Sequence, residues 1–155
     1  MADTNGTGPI LFAYDGSEEA KAAIREAATQ LDRGREALVL HVFEAPVAVP
    51  LGGPAYDTAE LEQSLEAEAE RTAREGAALA RSVGFEARAL AQRGSPVWHS
   101  IVETAEDLGV GLVVMGSHGR TGIQLVLLGS VAAAVSRHTD RPVLIVHGPP
   151  VENAA

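Results

Sequence analysis

Short apolar runs of strand length alternate with amphipathic stretches of helix length along this chain, and that alternation limits the fold more than any other feature. Ile10 to Tyr14 (ILFAY) is a nearly continuous apolar run that stops at Asp15-Gly16-Ser17, as a buried strand ending in a turn does. Ser17 suits a helix N-cap, and Glu18 and Glu19 behind it suit the positive end of a helix. Ala20, Ala23, Ile24, Ala27, Ala28 and Leu31 follow at helical spacing until Gly34 ends the segment. Ala37 to Val42 (ALVLHV) reads as a second strand, and the proline- and glycine-bearing stretch 46–54 as a loop. From about Thr58 to Val83 glutamates crowd the front and arginines the back, which matches a long helix to its own dipole.

The remainder repeats the pattern. Gly84 precedes a third strand at 86–91, and Gly94-Ser95-Pro96 opens a helix with Ser95 as expected N-cap and Pro96 in its first turn. That helix runs to about Leu108, a fourth strand covers 112–115, a helix covers about 130–138, and Pro142 to Val146 (PVLIV) is the last strand. Strands joined by helices of this length demand crossover connections, so the predicted fold class is α/β, a doubly wound parallel sheet with helices on both faces. Ligands of such sheets bind beyond the carboxyl ends of the strands, where the strand order reverses.

Composition narrows the function. At 155 residues, 46 % hydrophobic and 21 % charged, the chain is expected to form one domain over 10–148, with tails at 1–9 and 149–155. Having no cysteine excludes disulfides, thiolate catalysis and thiolate metal sites. A formal charge of −9 repels nucleic acid and anionic lipid, and neither is expected as a partner. With no secretory pattern at residues 1–9 and no apolar run long enough to span a bilayer, the expected location is the cytoplasm. Aromatic residues are only 4 % and alanine is abundant, so the helices must approach the sheet closely through small side chains.

The stretch that carries chemistry is Gly116-Ser117-His118-Gly119-Arg120-Thr121-Gly122, followed by Gly129-Ser130-Val131 at a helix start. Glycines just past a buried strand let backbone approach a ligand, and the amides that open a helix offer partial positive charge to an anion. Ser130 adds a hydroxyl, and Arg120 is the only full positive charge between Gly116 and Ser136. Two better-known phosphate motifs are absent: no lysine follows a glycine as the P-loop requires, and Gly109 and Gly111 precede a strand where the dinucleotide fingerprint must follow one. A glycine-softened crossover without ligand is the bland alternative. For Asp15 the choice lies between a ligand carboxylate and an ordinary turn at Asp-Gly.

These residues carry a resemblance over nearly the whole chain. ILFAYDGSEEA, LVLHVFE and VVMGSHGRTG…LLGSVAAAVSRHTDRPVLIVH together resemble the universal stress protein family, and the glycine loop resembles that of its ATP-binding branch. The resemblance implies a five-stranded parallel sheet of order 3-2-1-4-5, a homodimer and a stress-response role that depends on nucleotide. Carried over position by position, it implies adenine and ribose contacts at Ala13, Asp15 and Val42. It further implies ribose and phosphate contacts at Met115, Gly116, Gly119 and Arg120, and terminal-phosphate contacts at Gly129, Ser130 and Val131. The chain departs from the family at Gly111, where aspartate is common, and at Ala13, where proline or valine is usual; the second change loosens adenine packing.

Catalysis has thin support in the sequence. The five histidines form no HxxxH pair with a nearby carboxylate, so any metal is expected to arrive with ATP as Mg²⁺. A triad of Ser117, His118 and Asp15 is set aside, because Ser117 lacks the G-x-S-x-G setting and adjacent side chains seldom meet as nucleophile and base. The expectation is an ATP-binding regulatory module with an unidentified protein partner; the alternative is a slow ATPase or nucleotide hydrolase of the same fold. The apolar last strand, 142–146, needs cover at a sheet edge, and a second copy of the chain is the expected cover. Trp98 lies on an apolar stripe with Ile101 and Val102 and reads as core.

Overall fold

A computed structural model of the chain describes residues 8–45, 58–118 and 128–148. Strand and helix alternate along them: β1 (Ile10–Ala13), α1 (Glu18–Gln30), β2 (Glu36–Phe43), α2 (Thr58–Ser82), β3 (Glu86–Arg93), α3 (Val97–Asp107), β4 (Leu112–Gly116), α4 (Ser130–His138) and β5 (Val143–Val146). The strands form one parallel sheet of order β3-β2-β1-β4-β5, the expected α/β class and strand order. The chain winds outward from β1 to β3, then crosses back to lay β4 on the other side of β1, so the order reverses between β1 and β4.

Alternation along each strand divides the interior into two cores. Ile10, Phe12, Val39 and Val114 face one way and pack with Ala20, Ala23, Ile24 and Ala27 of α1 and Ala77 and Ala80 of α2. Leu11, Leu40, Val113 and Met115 face the other way and pack with Ile101 and Ala105 of α3 and Ala132 and Val135 of α4. The small-residue expectation is borne out: α2 buries Ala69, Ala73, Ala77 and Ala80, and a Cβ at Gly76 would stand 2.7 Å from both the Tyr14 ring and Val39. Within the first core Phe12 meets Phe85 edge-on, centroids 5.3 Å apart. Trp98 is partly buried against the second core, and its ring stacks on His138 at 4.3 Å, tying α3 to α4.

Local signals behave unevenly. Ser17 is the N-cap of α1, and its Oγ accepts the Ala20 N–H at 3.1 Å. Ser95 is not the cap of α3. Pro96 holds the extended dihedrals of a cap (φ −71°, ψ 155°, beside −69° and 158° at Ser17), helical geometry starts at Val97, and the Ser95 hydroxyl donates to Glu44 Oε1 at 2.9 Å. Helix α1 ends before Gly34, at Gln30, with Leu31 extended as its cap. Gly34 instead takes φ +82° in the turn that enters β2, a conformation open to glycine at little cost. Gly8 and Pro9, placed in the N-terminal tail by the sequence, are tied down: the Pro9 carbonyl accepts from Gly111 N–H at 2.9 Å and the Gly8 carbonyl from Arg35 at 2.9 Å. The loop at 46–54 lies outside the described residues.

Candidate functional site

A cleft of about 630 Å³ opens where the strand order reverses, at the carboxyl ends of the central strands. Ala13 and Asp15 bring it the end of β1, Val42 the end of β2, Met115 and Gly116 the end of β4, and Gly129, Ser130 and Val131 the start of α4. Those eight of the ten expected site residues thus share one concavity, although they come from four separate parts of the chain. Gly119 and Arg120 lie outside the described residues.

The cleft has an apolar half and a polar half. Leu40, Val42, Val97, Ile101 and Leu128 line the first, a surface suited to a flat aromatic base. The second is made by Asp15, Ser117, His118 and the first turn of α4. Two helix starts can be compared directly. Helix α1 has a serine cap and two glutamates in its first turn, whereas α4 is capped by Gly129, has no side-chain cap bond and has no acidic residue in its first turn. Among the described residues no side chain caps the positive end of α4, which lies at the cleft.

Several hydrogen bonds set this geometry. Asp15 Oδ1 accepts the Ser17 N–H at 2.9 Å, so the turn reading of Asp15 holds alongside its place in the cleft wall. The Tyr14 backbone N–H donates to the Leu40 carbonyl at 2.9 Å, and the Tyr14 carbonyl accepts from His41 Nδ1 at 2.8 Å. A carbonyl can only accept, so His41 Nδ1 carries a proton in this contact, and His41 also lines the cleft. The Tyr14 side chain points away into the first core, where its hydroxyl donates to Glu75 Oε1 at 2.8 Å. Burial first, and then the bond and charge of Glu75, hold that phenol above the usual tyrosine range.

The main-chain amide of Gly129 already has a partner within the chain. Its N–H donates to the Ser117 carbonyl at 2.6 Å, so the amides that α4 can aim at an anion begin at Ser130. Ser117 is 1 % exposed, with its hydroxyl 3.3 Å from Glu19 Oε2 and 3.0 Å from His118 Nδ1. Ser117 and His118 do meet, but through Nδ1 and around a buried hydroxyl with Glu19 as the carboxylate, which is not the wiring of a nucleophile and its base. Glu19 and His41 are the residues that sequence reasoning missed. Glu19 contacts a partner 99 residues away, a separation no local signal reports; His41 stands beside Val42 at a strand end, and that position was its one signal. Among the described residues no group of three or more His, Asp or Glu side chains could hold a metal ion. Nor is any helix among them long and apolar enough to cross a membrane.

Fold and cleft together define a doubly wound α/β domain with its binding hollow at the switch point of the sheet. The chain belongs to the universal stress protein family, whose sequence profile matches residues 6–147. Universal stress protein MJ0577 of Methanocaldococcus jannaschii is 31 % identical over 151 residues, covering 88 % of this chain and 93 % of that protein. The solved structure of MJ0577 superposes with a TM-score of 0.77 at 30 % identity, over 93 % of this chain and 98 % of that one. A universal stress protein of Thermus aquaticus is 38 % identical over 139 residues, 88 % of this chain and 96 % of that protein. The universal stress protein of Archaeoglobus fulgidus, solved in complex with dAMP, is 26 % identical with a TM-score of 0.57, over 89 % of this chain and 96 % of that one.

Proposed function

We propose that this chain is a cytoplasmic ATP-binding regulatory protein that works as a dimer and whose nucleotide state alters its contacts with a protein partner under stress. The observation that carries the reading is the cleft itself: an apolar wall for a base, a carboxylate and a histidine beside it, and the start of α4, which no side chain caps, at the same space. The dAMP complex of the Archaeoglobus fulgidus relative supports an adenine nucleotide as the ligand class. Base and ribose take the side of Ala13, Asp15, His41 and Val42, and the phosphates take Gly116, Ser130 and Val131, joined by Gly119 and Arg120 of the glycine loop.

The fit to phosphate rests on the backbone. On a chain of net charge −9, the amides of Ser130 and Val131, the Ser130 hydroxyl and the Arg120 guanidinium are the donors that offset a polyanion. Mg²⁺ would be carried mainly by phosphate oxygens, with its remaining positions filled by water. Equilibrium titration of the purified protein with ATP, ADP and AMP tests the proposal. Saturable binding is expected, and its absence up to about millimolar nucleotide overturns the reading. Single-turnover hydrolysis then separates a regulator from an enzyme: turnover of about 1 per second or faster marks an enzyme.

A further inference from the structure

Glu18 and Glu19 are neighbours in the same helical turn and do different things. The Glu18 side chain is 82 % exposed and pairs with Lys21 at 3.3 Å, an ordinary surface contact. Glu19 is 23 % exposed and turns toward the exit of β4, where its Oε2 accepts the His118 backbone N–H at 2.7 Å and the Ser117 hydroxyl at 3.3 Å. The same oxygen lies 3.7 Å from His118 Nδ1. A short bond from a main-chain amide to a carboxylate is of the strong, charge-assisted kind.

Ser117 is the node of this arrangement. Its N–H donates to the Val146 carbonyl at 2.9 Å, its own carbonyl accepts from Gly129 N–H at 2.6 Å, and its hydroxyl reaches Glu19. Both ends of the chain segment that carries Gly119 and Arg120 are thereby joined at one buried residue, and Glu19 ties that residue and the next to α1. Glycine at 116 permits the approach, since a Cβ there would stand 3.2 Å from the Glu19 backbone and Cβ. Ser117 and His118 line the cleft and Glu19 does not, so the carboxylate holds these residues from behind.

We propose that Glu19 is a positioning residue that holds the exit of β4 and the base of the glycine loop in the geometry used to bind the phosphates of a nucleotide. The inference rests on the nucleotide reading above. A carboxylate this close to a phosphate site opposes the anion unless its charge is committed to fixed donors, and the His118 amide and Ser117 hydroxyl are such donors. Fixing the loop base beforehand removes ordering that binding would otherwise have to supply.

The test compares native protein with Glu19→Ala and Glu19→Gln, titrating each with ATP and with adenosine and following amide exchange in the absence of ligand. Glu19→Ala is expected to weaken ATP binding about tenfold, to leave adenosine within about twofold, and to lose protection of the His118 amide. Glu19→Gln, which keeps an oxygen acceptor, should recover much of the ATP affinity. Unchanged or tighter ATP binding by Glu19→Ala overturns the proposal, as does an equal loss for adenosine, which would mark a general loss of structure. Absence of nucleotide binding by the native protein overturns the proposed function and with it the ligand half of this inference. The exchange measurement still judges the latch alone: a His118 amide that stays protected in Glu19→Ala refutes it.

Discussion

The Tyr14 hydroxyl donates to Glu75 Oε1 at 2.8 Å, linking the exit of β1 to the middle of α2 and standing behind the backbone that shapes the cleft. Lys21 reaches the same carboxylate oxygen at 3.4 Å, so α1, α2 and the end of β1 meet at one point. Replacing Tyr14 with Phe keeps the ring in the core and removes the donor. A loss of about 1–2 kcal/mol in stability is expected, read from denaturant unfolding.

The same pair sets a pH dependence whose sign is determined. The folded-state phenol titrates above its ordinary value of 10.0, through burial first and the Glu75 bond second, so the neutral form is favoured by folding. That contribution is fully present below pH 10 and is lost as pH rises beyond it; Lys21, also raised by its bonds to Glu18 and Glu75, acts in the same direction. Native protein should lose stability above about pH 10 more steeply than Tyr14→Phe. A variant that follows the native alkaline profile would remove Tyr14 from the account.

Serine at two helix starts shows how far local signals carry. Ser17 followed by two glutamates is legible as a cap because its hydrogen bonds all lie within four residues. Ser95 has the same look, but its proline neighbour takes the cap position and the hydroxyl goes to Glu44, 51 residues away. Ser17→Ala should cost about 1 kcal/mol and Ser95→Ala less than about 0.5 kcal/mol, a difference that thermal unfolding of the two variants resolves. Equal losses would contradict the assignment of the caps.

Most of the sheet was legible for a related reason: β1, β2, β4 and β5 are written as continuous apolar runs, whereas β3, EARALAQR at the opposite edge, is largely exposed; the reversal at β1 and β4 follows once the order is known. Within the cleft, positions at strand ends and helix starts could be read from glycines and turns. The contacts of Ser117 could not, since they join β4 to α1, α4 and β5 across long stretches of chain.

Gly76 sits inside α2, where glycine normally costs about 0.5–1 kcal/mol relative to alanine. A Cβ there would meet the Tyr14 ring and Val39 at 2.7 Å, and overpacking of that kind costs about 1–3 kcal/mol. The second effect exceeds the first, so Gly76→Ala should destabilise the protein despite its better helix propensity. A rise in melting temperature would show that α2 can move off the sheet.

Gly129→Val separates two explanations for a glycine at the start of α4. The sequence offers room for a phosphate, which predicts lost binding with the fold intact. In the structure an added Cβ stands 2.9 Å from the Ser117 carbonyl oxygen, the acceptor of Gly129's own N–H, so the substitution must also disturb the loop base. The expected outcome is loss of ATP binding together with a stability loss of about 1–3 kcal/mol and faster exchange at residue 129. Lost binding at full stability would favour the phosphate explanation alone.

β5 stands at the edge of the sheet, with Val143, Leu144 and Ile145 only partly buried and lining an open hollow with Leu31 and Leu112. Among the described residues β5 pairs only with β4, and an apolar edge strand invites another strand, which is the physical case for proposing a dimer of this chain. If the chain dimerises through β5, Leu144→Glu, which places a charge on that edge, should sediment as a monomer at micromolar concentration where the native protein sediments as a dimer. Circular dichroism of the variant checks that the subunit itself is still folded, because Leu144 also packs against the core shared by α1 and α2. A native protein that sediments as a monomer at that concentration, or a Leu144→Glu variant that stays folded and dimeric, removes β5 as the dimer contact.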